Sequence, residues 1–305
     1  MIAVDCGGTN VAFGRYEASG RGRPGGRRPA PAAAALIPET IAAAVGPLLG
    51  PGVTAIGIGA AGLVDHASGT LVWSPHASGG DVALRSEVAA ATGLPVVVDN
   101  DANVAALAEA RLGAGAGHRM VLFIGLGTGI GGGLVVDGRV ERGRGFLGEV
   151  GHMVVDPGGP GCACGGRGCW EALVSGTSLG RAAREMAAAD PSGAVARSAA
   201  GATPRGEHLA AAAAAGDGAA REALASAGAW LGRGLANLVA ALDPDVIVVG
   251  GAAAGPGEAV LGPARAVLAQ VFEGRGHRLP TPVIAASFGP QAGLVGAALM
   301  AGEAA

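Results

Sequence analysis

Three of the four cysteines, Cys162, Cys164 and Cys169, fall in one glycine-rich loop, while Cys6 stands alone. The first residues, Met1 to Asp5, run straight into a strand-like segment with no charged region or cleavage site, so no secretory signal is expected. In such a chain clustered thiols suit a metal ion better than disulfides. Glycine turns offer a second kind of chemistry. Gly7 and Gly8 follow an apolar strand, and Gly127, Gly129 and Gly132 satisfy a G-x-G-x-x-G pattern. A dinucleotide site needs a strand, the loop, and then a helix whose N-terminus holds the pyrophosphate. Here Leu134, Val135 and Val136 follow the loop as a strand, and the chain has no lysine to complete a P-loop. What remains is a pair of glycine hairpins able to aim backbone N–H groups at an anion. One hairpin alone could equally be a tight turn that needs glycine for positive φ. Two of the same design favour a triphosphate held between them, with Thr9 and Thr128 as hydroxyl donors and Asp5 placed to orient Mg²⁺ through water.

These groups need elements to position them. Ile2 to Tyr16 reads as strand, glycine turn, strand. Met120 to Val140 repeats the design: a strand Val121 to Ile124, a loop Gly125 to Gly133, a strand Leu134 to Val136 and an Asp137-Gly138 hairpin turn. A third strand, Val246 to Gly251, follows a helical stretch from Ala219 to Leu242. Asn100 to Leu112 reads as a helix with acidic residues at its start, where the helix dipole favours anions. Ser175 to Ala189, Glu258 to Phe272 and Gln291 to Ala301 are further helices. Residues 17–40, rich in Arg, Gly, Pro and Ala, read as an exposed loop. The pattern is α/β with a near-repeat whose halves meet around residues 113–118.

Composition bounds the function. With 305 residues, 50% of them hydrophobic and 15% charged, the chain can bury a large core or two modest ones. A net charge of −3 and 3% aromatics give no basic patch or stacking platform, so no nucleic-acid partner is expected. The longest apolar stretches are interrupted, as at Asp243-Pro244-Asp245, so no membrane span is expected either. The excess of Ala, Gly and Arg reads first as a bias of the coding DNA.

Taken in order, Asp5-Cys6-Gly7-Gly8-Thr9-Asn10, Asn100-Asp101-Ala102-Asn103, Gly127-Thr128-Gly129-Ile130-Gly131-Gly132-Gly133, Glu149-Val150-Gly151-His152 and Cys162-x-Cys164-Gly165-x-x-Gly168-Cys169-x-Glu171 resemble the ROK family (repressors, open reading frames and sugar kinases). The likeness is strongest to its bacterial glucokinase-like members and covers nearly the whole chain. It implies an actin-like ATPase duplication with two lobes, here 1–116 and 117–290, the C-terminal helix 291–305 packing back on the first. It also implies a cytoplasmic enzyme, a homodimer or homotetramer, that transfers the γ-phosphoryl group of MgATP to a hexose hydroxyl, most simply O6 of glucose. By motif, Asp101 resembles the general base, and Asn100, Glu149, His152 and Glu171 resemble sugar ligands, with Gly62 on the sugar side. Asp5, Gly7, Gly8, Thr9, Asn10, Gly127, Thr128, Gly129 and Gly131 match the phosphate turns, and Gly250 and Gly251 the adenosine-side turn.

The chemistry is consistent with those roles. Phosphoryl transfer proceeds through a loose transition state, so catalysis is mainly positioning and electrostatics. Carboxylates and amides can read sugar hydroxyls bidentately. Asp99, Asn100 and Asp101 could each cap the helix, so chemistry alone leaves the base open between capping and catalysis. His152 with Cys162, Cys164 and Cys169 makes a closed four-ligand set, the form of a structural zinc. Such an ion would fix one nitrogen of His152 and hold Glu171 at the pocket wall. Cys6 is expected to be a packing residue beside the phosphate turn. His66 and His76 are expected near the sugar side, and His118, His208 and His277 at the surface or in packing.

Three departures from the family pattern bear on specificity. Ala61 stands where the family commonly has proline, His76 where relatives often carry asparagine, and Ala252 to Ala254 is blander than the usual adenosine side. Residues 17–40 suggest a trimmed first lobe. The rival readings are a kinase for fructose, mannose, allose, N-acylmannosamine or N-acetylglucosamine, polyphosphate as donor, and a non-catalytic sugar-binding regulator. A repressor would need an N-terminal helix-turn-helix, for which the turn at Asp5 leaves no room.

Overall fold

A computed structural model describes residues 1–255, 257–273 and 279–304. His277 lies outside them. The strands are β1 (Ile2–Cys6), β2 (Asn10–Tyr16), β3 (Gly22–Pro29), β4 (Ile56–Ala60), β5 (Leu63–Asp65), β6 (Thr70–Trp73), β7 (Val96–Asn100), β8 (Met120–Leu126), β9 (Ile130–Val136), β10 (Arg139–Glu141), β11 (Val246–Gly250) and β12 (Val283–Ala285). The helices are α1 (Ile37–Val45), α2 (Leu84–Thr92), α3 (Asp101–Leu112), α4 (Trp170–Leu173), α5 (Gly176–Ala189), α6 (Ala194–Ala199), α7 (Gly206–Ala214), α8 (Gly218–Leu242), α9 (Glu258–Glu273) and α10 (Ala292–Ala304).

Strand order exposes the duplication. One five-stranded sheet runs β3-β2-β1-β4-β7 and the other β10-β9-β8-β11-β12. In the first, β1 pairs antiparallel with β2 and parallel with β4, and β4 pairs parallel with β7. The second repeats the ends of this scheme, β9 with β10 antiparallel and β11 with β12 parallel. A meander followed by parallel strands, used twice, is the actin-like ATPase fold. The parallel strands β4 and β11 are buried along their whole length, as strands covered on both faces must be.

Compact packing divides the chain into two units. The first is Met1–Phe123, Gly133–Gly148 and Ser287–Ala305, and the second is Ile124–Gly132 and Glu149–Ala286. In the first unit α10 packs on α3, β1 and β4. Glu109, fully buried in α3, accepts the backbone N–H groups of Ala114, Ser287 and Phe288 at 3.0, 3.0 and 2.8 Å and so fixes the chain entering α10. In the second unit α8 packs along α9.

Residues 17–40 are not the exposed loop that their composition suggests. Gly22–Pro29 forms β3, in register with β2 from Asn10↔Pro29 to Tyr16↔Gly22 with an irregularity at Phe13/Gly14. An edge strand needs backbone pairing rather than apolar side chains, and an edge tolerates proline and arginine. The first unit therefore keeps its full meander and is not trimmed. The expected loop Gly125–Gly133 is also shorter: β8 runs to Leu126 and β9 starts at Ile130. Gly133 reads as loop by type, yet it lies in the strand because α3 packs so closely that a Cβ there would meet the Ala102 carbonyl at 2.9 Å.

The small residues have a packing use. A Cβ on Gly296 of α10 would overlap the Val104 backbone of α3, and one on Gly57 of β4 the Ala297 backbone of α10. In the second unit, Gly228 and Gly232 of α8 approach the carbonyls of Val260 and Ala264 in α9 in the same way. Gly296→Ala should therefore destabilise the protein by about 1–3 kcal/mol through overpacking, although an exposed helical Gly→Ala change would stabilise. Thermal unfolding reads the difference, and an unchanged or raised Tm would refute the close approach.

Candidate active site

The site residues fall in two groups, one in each unit. In the first unit, Gly7 donates its N–H to Asn10 O at 3.0 Å, closing the turn from β1 to β2. Thr9 and Asn10 are exposed at its tip, and Asn10 Nδ2 donates to Thr9 Oγ1 at 3.0 Å. The His76 ring lies against Gly8, so a Cβ at Gly8 has no room. Asp5 packs against Gly293 at the start of α10. Burial pushes its carboxyl up to about 6, with Arg27 opposing the shift. Cys6 is buried, and burial, with Asp5 and Asp101 adding to it, pushes its thiol up to about 12, as befits a packing residue.

The Asn100-Asp101 motif sits where β7 ends and α3 begins. Asn100 is the cap: its Oδ1 accepts from Ala102 N at 2.8 Å and Asn103 N at 3.2 Å. Its Nδ2 donates to Gly62 O at 3.0 Å. Gly62 has φ +135, and a Cβ there would run into Trp73 O, so this carbonyl position requires glycine. Asp101 occupies the first turn, where its Oδ1 accepts from Ala102 N at 2.9 Å.

In the second unit, the turn between β8 and β9 is tied down through its carbonyls. Gly127 O accepts from Gly176 N at 2.8 Å, and Thr128 O accepts from Thr177 N and Oγ1 at 3.2 and 2.8 Å. Ser175 and Ser178 form a capping box that fixes the start of α5 against this turn. Gly251, at φ +89, follows Gly250 at the end of β11, and a Cβ there would strike the Leu126 backbone. Gly131 lies within β9.

His152, Cys162, Cys164 and Cys169 converge as the spacing implies. Their ligand atoms all lie within 4.8 Å of one another. Cys164 Sγ is 3.7 Å from Cys169 Sγ, and Cys162 Sγ is 3.9 Å from His152 Nδ1. A tetrahedron with Zn–S bonds of about 2.3 Å has edges of about 3.8 Å, which these two separations match, so the four residues could hold a zinc ion. Gly165 and Gly168, at φ +88 and +71, make the bends of the knuckle. Without metal, burial pushes Cys169 up to about 12 and raises Cys162, while the Gly166 N–H holds Cys164 down at about 7.

Glu149, His152 and Glu171 adjoin this knuckle. His152 turns Nδ1 to the thiols and leaves Nε2 3.9 Å from Glu149 Oε2. Burial raises the Glu149 carboxyl above its ordinary value, His152 opposing and Glu171 adding to the rise. Glu171 Oε2 accepts from Ile130 N at 3.0 Å, and its carboxylate fills the space where a Gly129 Cβ would stand. Gly129 is thus required by Glu171 as well as by the turn. Trp170, fully buried, anchors the segment: its Nε1 donates to Trp230 O at 2.9 Å, and the indole occupies the space above Gly234.

A family model described as the ROK family matches residues 1–304. The chain belongs to the ROK family. The glucokinase of Streptomyces coelicolor is 40% identical to it over 308 residues, covering 99% of this chain and 97% of that protein. The crystal structure of a ROK family glucokinase from Streptomyces griseus in complex with glucose and AMPPNP matches with TM-score 0.89 and 40% identity, covering 99% of each chain. An N-acetylmannosamine kinase of Escherichia coli is 34% identical, covering 98% of this chain and 97% of that protein.

The structure of this ROK chain also joins residues that no motif had paired. Asp99, 2% exposed, receives Arg142 Nε and Nη2 at 2.8 and 2.6 Å and Asn103 Nδ2 at 2.9 Å. His66 lies beside it, its Nδ1 2.8 Å from Val98 O and 3.6 Å from Asp99 Oδ2. Arg142 and Asp99 are far apart in sequence, so no local spacing could have paired them. His208 accepts from Arg205 N at 2.9 Å in the cap of α7, a packing role as expected.

Proposed function

We propose that this chain is an ATP-dependent glucokinase that transfers the γ-phosphoryl group to a hydroxyl of glucose, O6 being the simplest acceptor. The observation that carries the reading is the Asn100-Asp101 junction, where a capping amide fixes a carboxylate at a helix start. The full-length likeness to glucokinases, one of them in complex with glucose and AMPPNP, supplies the sugar and the donor. In this reading Asp101 is the general base that takes the hydroxyl proton, and Asn100 binds a sugar hydroxyl. Glu149, His152 and Glu171 are the second unit's sugar ligands. The turns at Gly7–Asn10 and Gly127–Gly131 meet the phosphates, and Gly250 and Gly251 lie on the adenosine side. Mg²⁺ enters with ATP and neutralises phosphate charge. The lobes 1–116 with the C-terminal helix, and 117–290, are part of the same proposal.

A cytoplasmic setting is part of the same proposal and rests on the likeness to glucokinases. No described helix is long and apolar enough to cross a membrane. Assembly as a homodimer or homotetramer rests on the family likeness alone, and the mass in solution tests it.

The deciding experiment is ADP release with MgATP and a panel of glucose, fructose, mannose, allose, N-acetylmannosamine and N-acetylglucosamine, with polyphosphate as alternative donor. Glucose should give the highest kcat/KM. Preference for another sugar would reassign the substrate, and no turnover with any would sink the kinase reading.

Asp5 adds a pH signature. A carboxyl raised to about 6 is ionised above that pH and protonated below it. Ionising it costs native stability at neutral pH, which the protonated form regains as pH falls. If the carboxylate serves MgATP, kcat/KM for MgATP should fall roughly tenfold per pH unit below about 6. Asp5→Asn should be weaker throughout and flat across that range. An equally steep acid limb in Asp5→Asn would assign the titration elsewhere.

A further inference from the structure

We propose that Arg142 and Asp99 form a positioning pair that fixes the direction in which Asp101 presents its carboxylate. The inference rests on the kinase reading above and adds two residues to its machinery. Asp99 is a charge taken almost wholly out of water, at 2% exposure. Such a group persists only if its oxygens are satisfied. Oδ1 accepts the Asn100 N–H at 2.8 Å and Asn103 Nδ2 at 2.9 Å. Oδ2 takes two N–H groups of Arg142, Nε at 2.8 Å and Nη2 at 2.6 Å.

The partners of Oδ1 give the pair its role. The Asn100 N–H is one peptide before Asp101, and Asn103 lies in the first turn of α3. The Asp99 carboxylate thus holds the chain on both sides of the base. Arg142 locks that carboxylate by engaging its other oxygen, so the plane of Asp99 cannot turn away from Asn100.

Arg142 is itself held. Its Nη1 donates to Val140 O at 3.2 Å, and its own carbonyl accepts from Gly145 N at 2.7 Å and Leu147 N at 3.2 Å. It therefore closes the turn that leads along the chain to Glu149. Its side chain, 28% exposed, roofs Asp99 from the solvent side. Arg142 acts through Asp99 and is a positioning residue.

The test compares Arg142→Met, Arg142→Lys and the double variant Asp99→Asn/Arg142→Met with wild type. Each is assayed for kcat per glucose-binding site, with sites counted by calorimetric titration, and for KM of MgATP and Tm. Misplacing a reacting group by about 1 Å costs on the order of 100-fold in rate. Arg142→Met should lose about 10- to 100-fold in kcat with KM for MgATP changed less than about threefold. Arg142→Lys, which keeps the charge but not the two-point grip, should recover part of that loss. The double variant removes the buried Asp99 charge together with its partner and should fold with nearly wild-type Tm even if Arg142→Met does not. Its kcat should stay at least about tenfold low, because without the two-point grip of Arg142 a neutral amide holds the Asn100 N–H less firmly than the carboxylate does. Wild-type kcat per binding site in the double variant, or in a folded Arg142→Met, would overturn the pair and leave a merely structural contact. A wild type without sugar-dependent ADP release would overturn the kinase reading, and the pair with it.

Discussion

Asp101→Asn is expected to lower kcat by about 10²- to 10⁴-fold, the usual worth of a positioned general base, with KM for MgATP nearly unchanged. The substitution is nearly isosteric. The amide keeps an oxygen for Ala102 N, whose N–H Asp101 accepts at 2.9 Å, and Asn100 remains the cap of α3. Folding should therefore survive, and glucose should still bind if Asn100, Glu149, His152 and Glu171 are its ligands as proposed. What is lost, on the proposed assignment of Asp101 as base, is the carboxylate that would accept the proton as the hydroxyl attacks. In a loose transition state the proton leaves late, so the defect belongs in kcat and not in the ground-state affinities. Steady-state kinetics on glucose and MgATP, with glucose binding checked by calorimetry, reads both quantities. A kcat within tenfold of wild type would remove Asp101 from the role of base and return it to helix capping.

The parts legible in the sequence are those whose determinants are local. Gly7, Gly8 and the Gly127–Gly133 run declare hairpins because strand residues flank them on both sides. Cys162, Cys164 and Cys169 declare a metal knuckle because their spacing is only a few residues. Asn100-Asp101 declares a helix start, although only the structure assigns the cap to Asn100. Other features depend on what the residue faces. Gly22–Pro29 has no apolar alternation, and its strand exists because β2 offers unpaired backbone groups. Gly129 looks like any loop glycine until the Glu171 carboxylate is seen in its place. Gly296 and Gly57 read as compositional bias, yet each is the point where α10 touches its neighbours. The Arg142–Asp99 pair and the Glu109 clamp join segments distant in sequence, and nothing within either segment specifies the partner.

Zinc removal should do more than loosen a loop. Among the described residues, His152 and Glu171 are tied to the knuckle directly: His152 is one of its four candidate ligands, with Nδ1 3.9 Å from Cys162 Sγ, and Glu171 stands two residues beyond Cys169. Cys169, 2% exposed, precedes the fully buried Trp170, so the ion and the indole brace Glu171 from successive positions. Glu171 in turn holds Ile130 N, which carries the effect into the turn at Gly127–Gly129. Cys169→Ser keeps the volume and removes a thiolate. The variant is expected to lose stoichiometric zinc and to bind glucose about 10- to 100-fold more weakly, the usual cost of disturbing groups a metal orients. The wild-type protein should carry one zinc per chain by atomic absorption, and its Tm should fall on chelation and recover when zinc is restored. In the metal-free protein Cys162 and Cys169 are raised above the ordinary thiol range, so zinc must displace protons from both on binding. The two arms separate the ion from the cysteine. If chelation leaves Tm and glucose affinity unchanged while Cys169→Ser impairs both, the thiol is needed for packing and zinc has no part in holding the sugar ligands. If both treatments weaken glucose binding alike, the metal sets the geometry of Glu149, His152 and Glu171, and those three residues act as one unit whose single substitutions will not add.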